Sequence, residues 1–335
     1  MRRSTGANSA AVAPATEALL FAATVLLAAL AGCCEPYPKT ILTQDELVAR
    51  FNANAARVPR LWARAKIYVH LVDDKGRAWD WGDTVGASTN GLVCLRKADS
   101  PLGPHDFALQ GLQAGEHVFR LGVSTVDKAY YYWARMGDQN GTYGSTALAG
   151  APGRQGLPVN PLDLMSVLGL VELPADFTRT PTVLLRMDET PCRRAYVLTC
   201  IDRQPLTDRL VARREIDFDW SDQRPPRPTR IQFLDEYGRP VMVASLREYR
   251  AIRLADVEAP ATGPAASKTA PPVMPTDIEI TWPATGSRIH VVLSEMTTED
   301  RVDPDLFLFW ERLPRGVREN LTCADPETPA PGAGR

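Results

Sequence analysis

The chain has few of the residue patterns on which enzymes are built. Only four histidines occur in its 335 residues, His70, His105, His117 and His290, and none lies in a catalytic motif. There is no G-x-S-x-G, H-E-x-x-H, Walker loop or G-x-G-x-x-G, so the hydrolytic and nucleotide-binding chemistries that depend on them have no support. The six cysteines include no C-x-x-C and no Cys/His cluster, and neither a metal nor a cofactor is implied. A formal net charge of -2 offers no basic surface to nucleic acid. Asp217 with Asp219 and Asp73 with Asp74 are more cheaply read as strand-end and turn residues than as catalytic pairs. His70 and His290 stand in strand patterns, where structural or solvent-facing roles outweigh catalysis. Arg193-Arg194 and Arg213-Arg214 read as solvated strand edges, with contact to anionic headgroups as the weaker alternative.

Long apolar runs are also missing. The longest, residues 18–32, follows a basic Met1-Arg2-Arg3 start and has the length of a signal-peptide core, about 15 residues. As a helix it would reach roughly 22 Å, short of the roughly 30 Å of a bilayer interior. The length argues against a permanent span, and a true membrane anchor is the weakest of the readings of this run. The run ends in Leu30-Ala31-Gly32-Cys33, which resembles the bacterial lipobox, and that resemblance implies cleavage before Cys33 and its acylation. The competing reading is an ordinary cleaved signal peptide that leaves Cys33 and Cys34 as thiols. Acylation would hold the protein on a membrane, since each buried CH₂ contributes about 0.8 kcal/mol. Where the proteobacterial sorting rule applies, Cys34 in place of Asp points to the outer membrane, facing the periplasm. Residues 1–32 are thus expected as signal peptide and 33–42 as tether. Of the remaining cysteines, Cys192 and Cys200 flank one hairpin-sized segment and are the candidate disulfide; buried thiols are the alternative.

What the chain does have is turns. It carries 28 prolines and 23 glycines with 44% hydrophobic residues, a composition of many short elements around a real core. Thr43-Gln44-Asp45-Glu46 has the capping-box form, and Leu47, Val48, Phe51 and Ala55 share one helical face, so a helix is expected to start there and stop at Val58-Pro59. Alternation then predicts strands at 65–72, 91–97, 105–110, 118–124 and 128–136. Within the last, Tyr130, Tyr132 and Met136 fall on one face and Tyr131 and Trp133 on the other. Aromatics on both faces mean a strand covered from both sides, or one side left open for a ligand. Asn160-Pro161 and Gly169 bracket a short second helix whose Leu162, Leu164, Met165, Val167, Leu168 and Leu170 make it apolar almost all round. Such a helix is either buried or a lid. Seven further strands are expected at 181–187, 194–201, 210–219, 229–235, 241–253, 277–282 and 287–296. Residues 258–275, rich in Ala, Pro, Ser and Thr, read as a disordered insertion, and residues 324–335 as a disordered tail.

The count is about eleven or twelve strands and two helices without a βα rhythm, so the fold class is mainly β, a single curved antiparallel sheet or barrel. In "LTQDELVARFNANAARVPRLWARAKIYV", "FRLGVSTVDKAYYYWARM", "NPLDLMSVLGL" and "IQFLDEYGRPVMVASLREY" the chain resembles the LolA/LolB-like superfamily of periplasmic lipoprotein carriers and outer-membrane lipoprotein receptors. The closing "PTDIEITWP" and "RIHVVLSEMTTEDRVDPDLFLFW" have the look of that family's last strands. The resemblance implies one domain over residues 43–323, an unclosed half-barrel of about eleven strands with a helical lid over an acyl-binding cavity. It nominates Phe119, Leu121, Tyr130, Tyr132, Trp133, Leu164, Met165 and Leu168 as cavity and lid residues, acyl chains of lipoproteins or lipids as ligand, and an envelope protein as partner. An exposed loop leucine that inserts cargo into the bilayer would be Leu102 by location only, and an ordinary turn leucine is the competing reading. The lipobox, as in the receptor, and the insertion separate this chain from the soluble carrier. A scaffolding lipoprotein whose lid fills its own cavity is the rival function.

Overall fold

The computed structural model describes residues 40–72, 76, 78–81, 89–113, 115–135, 141–149, 161–190, 193–220, 226–255, 270–308, 313, 317 and 321–323. The lipobox with Cys33, the Asn160 cap, Cys192, most of the 258–275 insertion and the tail lie outside them.

Helix α1 (Gln44–Ala56) begins where the capping box places it, with Thr43 as N-cap and Glu46 bonding back to the cap backbone. Its buried residues are Leu47, Val48, Phe51 and Ala55. The strands follow as β1 (Arg60–Val72), β2 (Ala78–Trp81), β3 (Thr89–Arg96), β4 (Asp106–Gln113), β5 (Glu116–Ser124), β6 (Ala129–Ala134) and β7 (Gly141–Ser145). Helix α2 (Pro161–Val167) separates these from β8 (Thr182–Thr190), β9 (Arg193–Arg203), β10 (Leu210–Asp219), β11 (Pro228–Leu234), β12 (Pro240–Ala251), β13 (Val273–Trp282), β14 (Ser287–Thr297) and β15 (Leu321–Cys323).

All fifteen strands belong to one sheet, ordered β15-β7-β6-β5-β4-β3-β1-β14-β13-β12-β11-β10-β9-β8, with β2 added beside β1. The two ends of this path do not meet, so the sheet is an unclosed half-barrel. Every pairing is antiparallel except β15 with β7. The sheet joins two meanders, and the seam is β1 against β14, from Trp62 opposite Thr297 to His70 opposite Arg288. Period-two alternation sets the faces. In β1, Leu61, Ala63, Ala65, Ile67, Val69 and Leu71 are all buried and all enter the main core. That core lies on the concave face and includes residues of both helices.

Three strands escape the sequence pattern: β2, β7 and β15. They are short, β7 lies in a Gly-rich passage, and each is formed by pairing with a longer neighbour rather than by its own periodicity. The expected insertion is also shorter at its C-terminal end, because β13 starts at Val273. Asn54 of α1 fixes that start: its side-chain amide donates to Val273 O and accepts from Val273 N, both at 2.9 Å.

The convex face is treated differently in the two halves. Over β3 to β7 it is covered by C-terminal residues: Phe307 packs on Cys94 and Ala108, and Leu313 and Val317 pack with Tyr131, Trp133 and Tyr143. Over β1 and β12 to β14 it is polar and open. A surface groove of about 370 Å³ there is lined by Tyr68, His70, Arg247, Glu279, Arg288 and His290 among others. His290 stacks on Tyr68 and bonds Asp277 at 2.9 Å, the structural use expected of it.

Candidate functional site

The candidate site is the concave face of β5 and β6 under α2. On β5, Phe119, Leu121 and Val123 face inward; on β6, Tyr130 and Tyr132 do. Glycines in the adjacent strands admit two of these rings. Gly111 stands opposite Phe119 and Gly144 opposite Tyr130, and a Cβ at either would collide with the ring. Both side chains therefore lie across bare backbone, where β-branched neighbours would have forced them upright.

Helix α2 packs on β5 and β6 with Leu164, Met165 and Val167 buried, and Leu168 and Leu170 continue the apolar surface beyond it. Gly169 ends it in the left-handed region, φ +68°, with Leu168 N and Gly169 N closing tighter i to i-3 bonds. Seven of the eight nominated residues thus share one cluster: Phe119, Leu121, Tyr130, Leu164, Met165 and Leu168 are buried, and Tyr132 packs half-buried against them. The Tyr132 hydroxyl is enclosed without a hydrogen-bond partner among the described residues, and burial raises its pKa.

Trp133 is the exception. Its neighbours are Tyr131, Tyr143, Leu313 and Val317 on the convex face, because adjacent strand residues point to opposite sides. It cannot line a cavity that Tyr132 faces. The Cys192–Cys200 disulfide is also corrected. Cys200 is a free, buried thiol on the concave face, accepting from Arg214 Nε at 3.4 Å. Its position on β9, seven residues beyond Arg193, corresponds to roughly 23 Å of extended strand, whereas disulfide Cα atoms lie within about 7 Å. Cys94 is likewise free and buried, and burial pushes its thiol up to about 12.

The lid's C-terminal side is tied down by polar groups absent from the sequence expectations. Asn52 of α1 donates to Leu173 O and accepts from Leu173 N, each at 2.8 Å. Lys97, at the end of β3, donates to Ala55 O on the last turn of α1 at 2.7 Å and meets Glu172 at 3.2 Å. Burial lowers the Lys97 pKa, and the Glu172 carboxylate works in the opposite sense. His105, fully buried, accepts from Ala98 N through Nδ1 at 3.1 Å. Gln44 extends the same device to the open sheet edge: its amide bonds Val183 O and Leu185 N of β8 at 3.0 and 2.9 Å, as a neighbouring strand would. The available signal was three amides, Gln44, Asn52 and Asn54, in one short helix, since asparagine is a poor helix former without an outside partner.

At the end of the sheet beside these ties, Leu102 on the β3–β4 loop is 48% exposed and Val126 on the β5–β6 loop 55%. Thr125 ties the β5–β6 loop to the first residue of β4 by donating twice to Asp106 Oδ1. Among the described residues no helix is long and apolar enough to cross a membrane, and no group of three or more metal-ligating side chains comes together.

No family model matches the sequence, and no curated protein does. Solved structures similar to it include a DUF1329 family protein from Desulfovibrio piger, with 10% identity and a TM-score of 0.48, covering 78% of this chain and 95% of that one. A putative outer membrane lipoprotein-sorting protein domain from Vibrio parahaemolyticus matches at 10% identity and TM-score 0.45, again over 78% and 95%. A LolA superfamily protein from Nitrosomonas europaea matches at 15% identity and TM-score 0.43, over 82% and 100%.

Proposed function

We propose that this protein is an envelope lipoprotein, anchored through Cys33 and facing the periplasm, that accepts an acyl chain of a lipoprotein or lipid between α2 and the concave face. The observation that supports the reading is the lid itself: an apolar seven-residue helix laid on the aromatic face of β5 and β6, tied at its C-terminal side by Asn52 and Lys97. Displacing it would uncover a continuous apolar surface without breaking the sheet. A fully buried chain of about 16 carbons gains roughly 12 kcal/mol before ordering and lid-opening costs are subtracted. The contacts are apolar and call for no catalysis. Leu102 and Val126, exposed on the β3–β4 and β5–β6 loops, would be the residues to enter a bilayer during transfer.

A second reading rests on a specific observation. Phe119, Leu121, Tyr130, Leu164, Met165 and Leu168 are already buried by one another, which is the packing of a self-filled scaffold. Displacement of a fluorescent fatty acid, measured on the chain from Glu35 onward, separates the two. Acyl binding predicts saturable uptake that falls at least tenfold in Leu164→Glu or Leu168→Glu variants that remain folded. No saturable uptake by the wild-type chain would leave the scaffold reading standing.

A further inference from the structure

The concave face carries a polar group that no described residue uses. Tyr132 stands on β6 between Leu121 of β5 and Thr142 of β7. Its ring is half-buried, yet the hydroxyl at its tip is enclosed and has no hydrogen-bond partner among the described residues. A tyrosine at a surface ordinarily does the reverse, burying the ring and giving the hydroxyl to water. Two other tyrosines packed into the same core use theirs: Tyr196 accepts from Leu42 N at 3.0 Å, and Tyr249 donates to Pro228 O at 2.5 Å. On α2, the Ser166 hydroxyl is turned back to Leu162 O of its own helix at 3.3 Å. Burial alone acts on the Tyr132 phenol and raises its pKa. It therefore stays a protonated donor at neutral pH.

Enclosing an unpaired hydroxyl is costly, and the cost is removed when an acceptor enters beside it. The surroundings set what that acceptor can be. No charged group contributes to the shift of the phenol, so an ionised carboxylate would stay uncompensated, whereas a neutral carbonyl oxygen loses little hydration and accepts one hydrogen bond. Helix α2 packs on β5 and β6, and Tyr132 packs against the cluster that contains Leu164, Met165 and Leu168. A ligand lying under the lid therefore passes this hydroxyl. We propose, on the acyl-binding reading above, that the Tyr132 hydroxyl donates to the carbonyl oxygen of the bound acyl group. The ligand class is then an ester or amide of a fatty acid, the linkage by which acyl chains are joined to proteins and lipids, and not a bare alkyl tail.

Two competitors that differ only in that oxygen test it. Methyl palmitate and hexadecyl methyl ether are each used to displace the fluorescent fatty acid from the chain starting at Glu35, which contains every described strand and helix. The ester is expected to displace the probe at about fivefold lower concentration, the worth of one hydrogen bond. Tyr132→Phe, which keeps the ring, brings the ester to the level of the ether and leaves the ether unchanged. Without ligand this variant melts no lower than the wild type, because the hydroxyl it loses is unpaired. Equal displacement by ester and ether in the wild type, or a preference for the ester that survives in Tyr132→Phe, overturns the proposal, assigns the hydroxyl to packing or an internal water, and leaves acyl binding standing. A fall of several degrees in the melting temperature of Tyr132→Phe overturns it as well, since the hydroxyl would then have a structural partner. If the probe is not taken up and neither compound binds, the acyl-binding reading itself fails and this proposal falls with it.

Discussion

His105 shows how one buried residue couples the site to pH. Burial first, then the positive charge of Lys97, lowers its pKa, while Glu172 and Asp106 act in the opposite sense. The unfolded imidazole keeps its ordinary value, about 6.5, so the unfolded chain binds more protons than the folded one once the pH falls below it. The stability contributed by neutral His105 is therefore complete above about pH 6.5 and is lost as the pH drops through the lowered folded value. His105→Asn retains an acceptor for Ala98 N but cannot titrate. Urea unfolding at pH 7.5 and 5.0 should show the wild type losing more stability on acidification than this variant; equal losses would mean that His105 is not the titrating group.

At the scale of elements, α1 acts as a clasp. Its apolar face supplies Phe51, edge-on to Phe218 at 5.7 Å, while its amides reach three separate segments, at β8, Leu173 and Val273. Replacing Asn52 with Ala leaves the Leu173 N–H and C=O without partners and should cost about 1–3 kcal/mol in denaturant unfolding. Thr43→Ala removes the cap and should cost about 1 kcal/mol. The two differ in a second readout. Asn52→Ala releases the lid's anchor and should raise proteolytic nicking near residue 173, whereas Thr43→Ala should not. Indistinguishable cleavage patterns would refute the anchoring role.

At the scale of the whole molecule, the described residues of the half-barrel carry no cross-link. Cys94 and Cys200 are free thiols inside a single continuous sheet. Denatured protein, never exposed to reductant, should react with a thiol reagent at both positions, checked by mass of the labelled peptides; protection of Cys200 would restore the disulfide. Cohesion comes instead from the β1–β14 seam and from the apolar alternation on either side of it.

Much of this was written locally. The capping box placed the start of α1 to the residue, the alternation in β1 placed its buried face, and Gly169 ended the lid, because each signal depends only on neighbours a few residues away. The parity of "YYYWARM" even separated Tyr132 from Trp133, although the nominated site set kept both. Tertiary structure alone decided the rest. Short strands such as β7 and β15 exist only because a neighbour offers a free edge, and β13 begins at Val273 because Asn54 comes to meet it. Which thiols stay apart and which side of the sheet the C-terminal segment covers follow from strand order and register. These are long-range pairings, and no local pattern encodes them.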